Sequence, residues 1–358
     1  MRVGYVPYHE SLTPPGDYRR FVGYANYRNI PFEIAKVGEK YDLVVLSSRA
    51  DITTWCDYDH GVVVFDFINS YLDIPYTDIK GCLRGTAKFV SGQHAKWQPS
   101  YWGSLHRMCD RADAVICTTT KQTEMVRPYC HNTHIVLDMH DSVVSSSKSS
   151  YAISSPIKLV WEGLPENIVQ FREIQEVLRT IDSEFQIELN FVTDLWGYKF
   201  LGKYGKVKSV DKAAGIVKRV NVLAWDKLTW SDIITQCDLA LIPIDLQNPI
   251  DAGKPENKLL LFWRMGIPVI TSATPAYSEA MNAAKSPYAC TTDEDWYRSL
   301  KLLIEDENLR RDAGHSGKKY VESNFAKEDL VTKWDQVFRS VGFDFSKPDT
   351  NQLEETGV

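Results

Sequence analysis

Residues 238–271 read DLALIPIDLQNPIDAGKPENKLLLFWRMGIPVIT, and this stretch leads to the fold class that we predict. The apolar run 239–244 is typical of a buried strand. The segment 256–265, with its apolar middle 259–263 and Gly266 directly after it, predicts a buried helix with a glycine stop. A polar loop joins the strand to the helix. Because strands that alternate with helices in this way build parallel sheets, we expect an α/β protein.

Similar apolar runs occur on both sides of this stretch and are typical of strands that are buried on both faces. They are residues 2–6, 43–46, 62–65, 114–118 and 134–137 in the first half, and 158–161, 186–192, 221–224, 239–244 and 269–271 in the second. Further helices are predicted at residues 101–112, 121–129 and 167–180. The serine-rich residues 142–156 separate the two series and predict an interdomain linker. We therefore predict two domains, 1–150 and 151–330, and a C-terminal helix and tail at 331–358.

Composition excludes several classes of protein. The 358 residues include 47 acidic and 41 basic side chains, so the charge of -6 gives no bulk attraction to nucleic acid. Seven single cysteines with no C-x-x-C pair predict neither a disulfide framework nor a zinc site, and they favour a reducing, cytoplasmic location. No apolar run approaches the roughly 20 residues of a spanning helix, so we expect any contact with the inner face of a membrane to be peripheral.

A basic stretch lies in the second half and predicts a solvated face, with an anionic partner or membrane surface as the alternative. Its members are Lys199, Lys203, Lys206, Lys208, Lys212, Lys218 and Arg219.

Several motifs of other enzyme classes are missing from the sequence. No G-x-G-x-x-G follows the first strand, and neither a P-loop nor a G-x-S-x-G elbow occurs, which disfavours dehydrogenases, P-loop kinases and α/β hydrolases. Two acidic triplets, residues 57–59 and 293–295, have the form of a metal-binding motif, but an acid-rich chain yields such triplets by chance. We therefore predict no metal site.

The start of the predicted helix 256–265 is the strongest candidate for a ligand site. A helix N-terminus has free backbone N–H groups and the positive end of the helix dipole, which together favour phosphate. Lys258 adds a full positive charge in the first turn, where it opposes the dipole unless an anion binds there. A solvated side chain is the alternative interpretation of Lys258.

The combined pattern resembles the C-terminal, nucleotide-binding half of the GT-B glycosyltransferases, in particular the group-1/family-4-like set. The resemblance covers about residues 158–325 and is carried by the strand 238–243, the Asn257-Lys258-Leu259 helix start, Gly266-Ile267-Pro268-Val269, and residues 275–279 and 296–325. In the first half, residues 41–44 and 111–118 are similar to the N-terminal strands of that family.

This resemblance implies two Rossmann-like domains that face a cleft. It also implies a hexosyltransferase-like activity in carbohydrate biosynthesis, in which a nucleotide sugar is the donor substrate and neither a cofactor nor a metal ion takes part. The acceptor would be a saccharide, a lipid-linked compound or another hydroxyl compound. The sequence departs from the family at its Glu-x7-Glu pair, since the two places are Gly253 and Leu261.

The candidate site residues follow from these considerations. For the donor they are Gly163, Trp225, Lys254, Glu256, Asn257 and Lys258. We expect Glu256 to bind a ribose hydroxyl in place of the family's glutamate, although a favourable first-turn acid is the alternative. Trp225 would flank the base, with core packing as the alternative. Asp66 is the candidate general base, and the alternatives are His60, His94 and His140. Lys258 is the catalytic cation, while Arg19 and Arg20 would hold an anionic acceptor.

Two other functions remain open from the sequence. A nucleotide-sugar epimerase has the same two-module architecture and would form product without an acceptor. A catalytically silent GT-B protein would bind a nucleotide sugar or a partner without turnover, and the loss of both glutamates at Gly253 and Leu261 favours this alternative.

Overall fold

The computed structural model describes residues 1–141, 143–200 and 204–346. Position 142 of the predicted linker, position 203 of the basic stretch and positions 347–358 of the predicted tail lie outside the described residues. The chain forms two compact units. Unit 1 comprises Met1–Met139 together with the chain from Lys327 onward, and unit 2 comprises His140–Ala326.

Unit 1 contains a six-stranded sheet in which every strand pair is parallel, in the order β2-β1-β3-β4-β5-β6. Its strands are β1 (Val3–Val6), β2 (Glu33–Ile34), β3 (Leu43–Ser47), β4 (Val62–Asp66), β5 (Ala114–Cys117) and β6 (Thr133–Ile135). Its helices before unit 2 are α1 (Pro15–Tyr18), α2 (Phe21–Arg28), α3 (Ile52–Trp55), α4 (Ile79–Val90), α5 (Tyr101–Arg111) and α6 (Thr120–Val126), with a 3-10 helix at Tyr71–Asp73. The central strands are buried along their whole length, which explains their continuous apolar sequence.

Unit 2 contains a second parallel six-stranded sheet, in the order β11-β8-β7-β12-β13-β14, and a separate antiparallel hairpin of β9 and β10. Its strands are β7 (Ile157–Glu162), β8 (Ile187–Thr193), β9 (Trp196–Phe200), β10 (Tyr204–Lys208), β11 (Val220–Ala224), β12 (Leu239–Ile242), β13 (Val269–Ser272) and β14 (Ala289–Cys290). The two parallel sheets confirm the predicted α/β class.

Eight α-helices of the described chain belong to unit 2, and the last helix belongs to unit 1. They are α7 (Gln175–Phe185), α8 (Ser209–Ala213), α9 (Trp230–Thr235), α10 (Pro249–Ala252), α11 (Asn257–Arg264), α12 (Pro275–Ala283), α13 (Asp293–Glu305), α14 (Glu307–Asn324) and, in unit 1, α15 (Lys327–Ser340). Within the part of the chain that is described, no helix is both long and apolar enough to cross a bilayer.

The helix predicted at residues 167–180 is correct in type only from residue 175 onward. The chain instead forms a 3-10 helix at Pro165–Arg172 and starts α7 only at Gln175. The apolar residues Ile168, Phe171 and Ile174 are three residues apart, and this period matches the 3-10 helix. All three are buried, as predicted for a core-facing segment.

Helix α11 agrees with its prediction. Its five central residues, Leu259 to Trp263, are each at most 1% exposed, so the nearly all-round apolar character does reflect burial. Gly266 adopts a φ of +74°, the left-handed conformation that favours glycine directly after a helix. The strand β12 before α11 and the strand β13 after it are hydrogen-bonded neighbours, which fixes the start of α11 beside the carboxyl end of the sheet.

Candidate functional site

The carboxyl end of β7 forms the centre of the candidate site in unit 2. Gly163 follows this strand, donates its N–H to Val192 O at 3.3 Å and accepts a 2.6 Å hydrogen bond from Thr193 Oγ1. A β-carbon at Gly163 would contact the Lys258 amine and lie 2.8 Å from Cζ2 of Trp161. Glycine is therefore required here by close packing, at the sheet edge where open α/β folds bind their ligands.

Lys258 connects the first turn of α11 to this strand end. Its Nζ donates a hydrogen bond to the backbone carbonyl of Glu162 and lies 4.3 Å from the ring centroid of Trp161. The Trp161 ring is fixed because it packs edge-on against Phe171 and Phe191 and is 1% exposed. The cation is thus held in a defined place beside Gly163. Such a positioned charge suits an anionic ligand better than a mobile surface lysine does.

The start of α11 supplies backbone donors next to this cation. Glu256 precedes the helix, but its side chain does not cap the first-turn N–H groups. Lys254 lies just upstream, forms an ion pair with Asp251 and places its Nζ 3.5 Å from Asn167 Oδ1. Lys254, Glu256, Asn257 and Lys258 thus lie at or just before the start of α11, and their contacts with a donor stay a prediction.

Three carboxylates near Gly163 were not recognised from the sequence. Burial raises the pKa of Asp194, which follows β8, and the charges of Glu166 and Glu162 raise it further. Glu166 accepts a hydrogen bond from Tyr198 N, so it ties the β9–β10 hairpin to the 3-10 helix. These acids offer acceptors for hydroxyl groups beside the basic start of α11. The signal for Asp194 lay in its position two residues after the predicted strand 186–192.

Trp225 lies farther from this centre. It follows β11, two strands away from β7 in the sheet, which corresponds to about 10 Å. Its ring stacks on Trp230 with a centroid distance of 6.3 Å, which favours the packing interpretation. Its indole N–H is buried and has no hydrogen-bond partner among the described residues, so one donor is available there.

The places of the missing glutamate pair differ in their surroundings. Leu261 is 1% exposed and belongs to the buried face of α11, where a carboxylate would need a partner inside the core. Gly253 ends the short helix α10 and is partly exposed. A glutamate at position 261 would therefore be buried, and its carboxylate would be costly without a partner.

Arg20 and Asp66 form a buried ion pair in unit 1. Arg20 Nε and Nη2 each donate to a different oxygen of Asp66 at 2.6 Å, and Nη1 donates to Asp138 at 3.0 Å. Arg20 is 0% and Asp66 1% exposed. Burial, the larger influence, raises the pKa of Asp66, and the charge of Arg20 opposes this rise. Because both oxygens of Asp66 are occupied, the contacts favour a structural role over proton transfer.

Arg19 differs from its neighbour Arg20 although the sequence treats the two alike. Its side chain is 6% exposed and packs over the ring of Tyr18 at 5.5 Å. Its Nε and Nη2 are buried and have no hydrogen-bond partner among the described residues. Since a buried guanidinium without an acceptor is costly, Arg19 is the better candidate of the two for an anionic acceptor.

The two remaining charged features also have defined contacts. Asp57 of the first acidic triplet pairs with Lys96 and Arg107, each at 2.7 Å, so two cations already neutralise it. In the basic stretch, Lys206 and Lys208 lie over the ring of Trp196, at 4.7 and 5.5 Å. Both lysines are exposed, as expected for a solvated face.

Comparisons with known proteins concern the fold. No protein-family model matches the chain, and no curated protein matches its sequence. WaaG, a glycosyltransferase involved in lipopolysaccharide biosynthesis, aligns at a TM-score of 0.58 and 13% identity over 95% of this chain and 100% of WaaG. The sucrose-phosphate synthase of Thermosynechococcus elongatus aligns at 0.57 and 13% identity over 88% of this chain and 75% of the synthase.

A third similar structure contains ligands. It is a mutant of S. aureus TarM in complex with Fondaparinux, alpha-GlcNAc-glycerol and UDP, with a TM-score of 0.57 and 10% identity over 82% of this chain. The chain spans only 55% of the length of TarM. At these identities the similarity extends to the architecture and not to individual site residues.

Proposed function

We propose that this chain, which has the GT-B fold of the glycosyltransferases, moves a sugar from a nucleotide-sugar donor to an acceptor hydroxyl without a metal ion. The observation that carries this proposal is the position of Lys258. Its amine is held against the Glu162 carbonyl, beside Gly163 and at the start of α11. A cation and a helix N-terminus at the carboxyl edge of a parallel sheet together suit a diphosphate.

In this reaction the bond between the anomeric carbon and the diphosphate oxygen breaks, and its electron pair stays on the diphosphate. The acceptor oxygen forms the new bond to the anomeric carbon, and its proton passes to an oxygen of the leaving diphosphate or to water. The charge that develops on the leaving diphosphate is stabilised by Lys258 and by the first-turn N–H groups of α11. Because these groups are already oriented, little reorganisation is needed during the reaction.

We propose that this arrangement replaces a divalent cation. Positive charge at the diphosphate comes from Lys258, supported by Lys254 and by the helix dipole. The acidic triplet that most resembled a metal site offers no free carboxylate at Asp57, which is bonded to two cations. This metal independence makes a direct prediction for chelators, which should leave nucleotide binding unchanged.

The remaining donor contacts are proposed from the same edge of unit 2. Glu256 would accept a hydrogen bond from the ribose, the role of the family's glutamate at the place where this chain has Leu261. Asn257 would contact a phosphate. The available indole N–H of Trp225 suits an acceptor atom of the base. For the acceptor, Arg19 would pair with an anionic group, so saccharide phosphates and lipid-linked compounds are the preferred classes. A cytoplasmic location and a role in carbohydrate biosynthesis accompany this proposal.

The test is a thermal-shift titration with UDP, GDP and their sugars, with and without EDTA, on the wild type and on Lys258→Ala. At about 100 times Kd a nucleotide should stabilise the wild type by about 2.7 kcal/mol. Loss of a charge-assisted contact costs about 1.5–3 kcal/mol, so Lys258→Ala should abolish most of the shift. Lys319→Ala removes an exposed lysine of the same unit and should keep the full shift. No shift with any nucleotide, or a shift that EDTA removes, would contradict the proposal.

A catalytically silent protein is the second candidate, favoured by the buried Leu261 in place of a carboxylate. It predicts that nucleotide sugar still binds at Lys258 but is neither transferred nor hydrolysed. Release of free nucleotide diphosphate from UDP- and GDP-sugars, measured with a panel of sugar and sugar-phosphate acceptors, separates the two candidates. Release that depends on an acceptor supports the transferase, and release without an acceptor would indicate hydrolysis. Conversion of the nucleotide sugar to an epimer without net release of the diphosphate would indicate an epimerase.

A further inference from the structure

A cluster of basic and aromatic side chains lies in unit 1, apart from the residues discussed above. The Arg84 guanidinium carbon is 4.5 Å from the ring centroid of Tyr71 and 5.9 Å from that of Tyr101. Lys88 Nζ is 5.9 and 5.3 Å from the same two centroids. Because residues four apart on a helix share a face, α4 directs both cations toward one aromatic wall.

This cluster lacks a neutralising carboxylate. Within the described part of the chain, neither Arg84 nor Lys88 forms an ion pair, and Arg49 adds a third positive charge that acts on Lys88. The sequence between residues 79 and 109 holds five Lys or Arg and no Asp or Glu. The cations therefore repel one another in a partly buried place, where water screens them less than at an open surface.

Asp51 is the acid that acts on Lys88, and its oxygens are already occupied. Oδ1 accepts hydrogen bonds from the backbone N–H and the hydroxyl of Thr53, at 3.0 and 2.6 Å. Oδ2 accepts from the Thr54 hydroxyl and from Ala95 N, both at 2.8 Å. Asp51 therefore caps α3 and holds a loop, and it is not a direct counter-ion for Lys88.

His94 provides a second, independent sign of a ligand. It is 3% exposed, and its ring stacks on Tyr101 with a centroid distance of 6.0 Å. Its Nδ1 is buried and has no hydrogen-bond partner among the described residues, and the same holds for Nε of Arg84. Buried polar atoms are normally paired, so unpaired nitrogens beside two cations point to an acceptor that comes from outside the chain.

We propose that Arg84, Lys88 and His94 form a binding site for a phosphate group, with Tyr71 and Tyr101 as its wall. Arg and Lys donate charge-assisted hydrogen bonds to phosphate oxygens, and a neutral imidazole with its proton on Nδ1 adds one more. The phosphate belongs either to a soluble phosphate ester or to a phospholipid headgroup. The phospholipid headgroup is included because α4 exposes three apolar side chains that could contact a membrane. Ile79, Leu83 and Val90 are 74, 60 and 78% exposed. The site does not depend on the proposed transferase activity.

Binding at this site should weaken as the pH rises through about 8. The charged and titratable groups that face Lys88 are Arg49, Arg84, Asp51, His94, Tyr71 and Tyr101. Burial and the two arginines lower the pKa of Lys88 to about 8. Burial lowers the pKa of His94 to about 4, so His94 stays neutral above pH 6.

Sulfate is the probe for this pH dependence because its own charge is constant over the range. Calorimetric titration at pH 6.5 and pH 9.5 should give an affinity for the wild type that is at least about tenfold weaker at the higher pH. In Lys88→Gln the affinity should be low and equal at both values. A wild-type affinity that does not change with pH would contradict the role of Lys88.

The site itself is tested without any nucleotide sugar, by titrating inorganic phosphate, glycerol phosphate and vesicles of phosphatidylcholine with or without phosphatidic acid. Arg84→Gln and Lys88→Gln should each weaken binding at least about tenfold, as expected for loss of a charge-assisted contact. Lys96→Gln is the matched control, because Lys96 is on the same segment but pairs with Asp57. Circular dichroism of each variant verifies that it is folded.

Each outcome has a defined meaning. Binding of soluble phosphate that the two variants weaken supports the site with a soluble ligand. Binding only to vesicles that contain phosphatidic acid, with the same losses, supports it with a lipid headgroup. No binding by the wild type, equal loss in Lys96→Gln, or phosphate binding that Lys258→Ala removes and Arg84→Gln leaves intact would overturn the inference. Failure of the nucleotide titrations at Lys258 would leave this result untouched.

Discussion

Replacing Arg20 with methionine is expected to lower the stability of unit 1 by about 3–5 kcal/mol, the usual cost of removing one partner from a buried ion pair. The guanidinium holds both oxygens of Asp66, one oxygen of Asp138 and the carbonyl of Val136. Methionine keeps most of the volume but removes a counter-ion from two carboxylates, of which Asp66 is 1% exposed. We expect this stability loss to exceed that from removing the charge of Lys258, Arg84 or Lys88.

The effect is measured by native-state hydrogen exchange, because a chain of two units need not unfold in one step. Peptides that cover β3 and β4 should lose protection in Arg20→Met, while peptides that cover β8 in unit 2 should not change. Adding Asp66→Asn should restore part of the protection, since it removes the uncompensated charge. Arg2→Met is the matched control, because Arg2 forms ion pairs at the surface with Glu33 and Glu39. Unchanged protection of β4 in Arg20→Met would contradict the assigned role.

The elements that carry the candidate donor site could be predicted because their sequences are governed by burial. Strand β12 and helix α11 are continuous apolar runs with a proline or glycine at their ends, and such runs have few alternatives in an α/β fold. The charge of Lys258 opposes the dipole of its own helix, which marked it as a residue that needs a partner. The structure shows a partner that the sequence could not reveal. It is the backbone carbonyl of Glu162 at the end of strand β7.

The features that the sequence did not reveal depend on contacts between distant residues. Arg19 and Arg20 are adjacent and chemically equal. Among the described residues, however, Arg20 pairs with Asp66 and Asp138, which are 46 and 118 positions away, and Arg19 pairs with no carboxylate. The β9–β10 hairpin consists of short strands rich in lysine, glycine and aromatic residues, which look like an exposed loop. The cluster at Arg84 depends on Tyr71 and Tyr101, which come from a 3-10 helix and from α5. The local sequence pattern does not reveal contacts between residues that are this far apart in the chain.

Gly163→Ala is expected to remove most of the nucleotide-dependent stabilisation, although it changes no charge. The new β-carbon would overlap the Lys258 amine and lie within 2.9 Å of two atoms of the Trp161 ring. Trp161 cannot move, because Phe171 and Phe191 pack against it, so the flexible lysine must leave the Glu162 carbonyl. The φ of +156° at this position is also one that residues with a side chain rarely adopt. We expect about a tenfold or greater loss of UDP or GDP affinity from the displaced charge.

A loss of binding has to be separated from a loss of stability, since overpacking alone costs about 1–3 kcal/mol. Gly317→Ala provides this control in the same unit: its β-carbon would overlap the fully buried ring of Trp263. This variant should melt at a lower temperature and still show the full nucleotide shift. Gly163→Ala should show little shift even after its own melting temperature is taken as the reference. If Gly163→Ala retains the wild-type shift, the position of the Lys258 amine at the end of β7 does not determine nucleotide binding, and the donor site lies elsewhere in the chain.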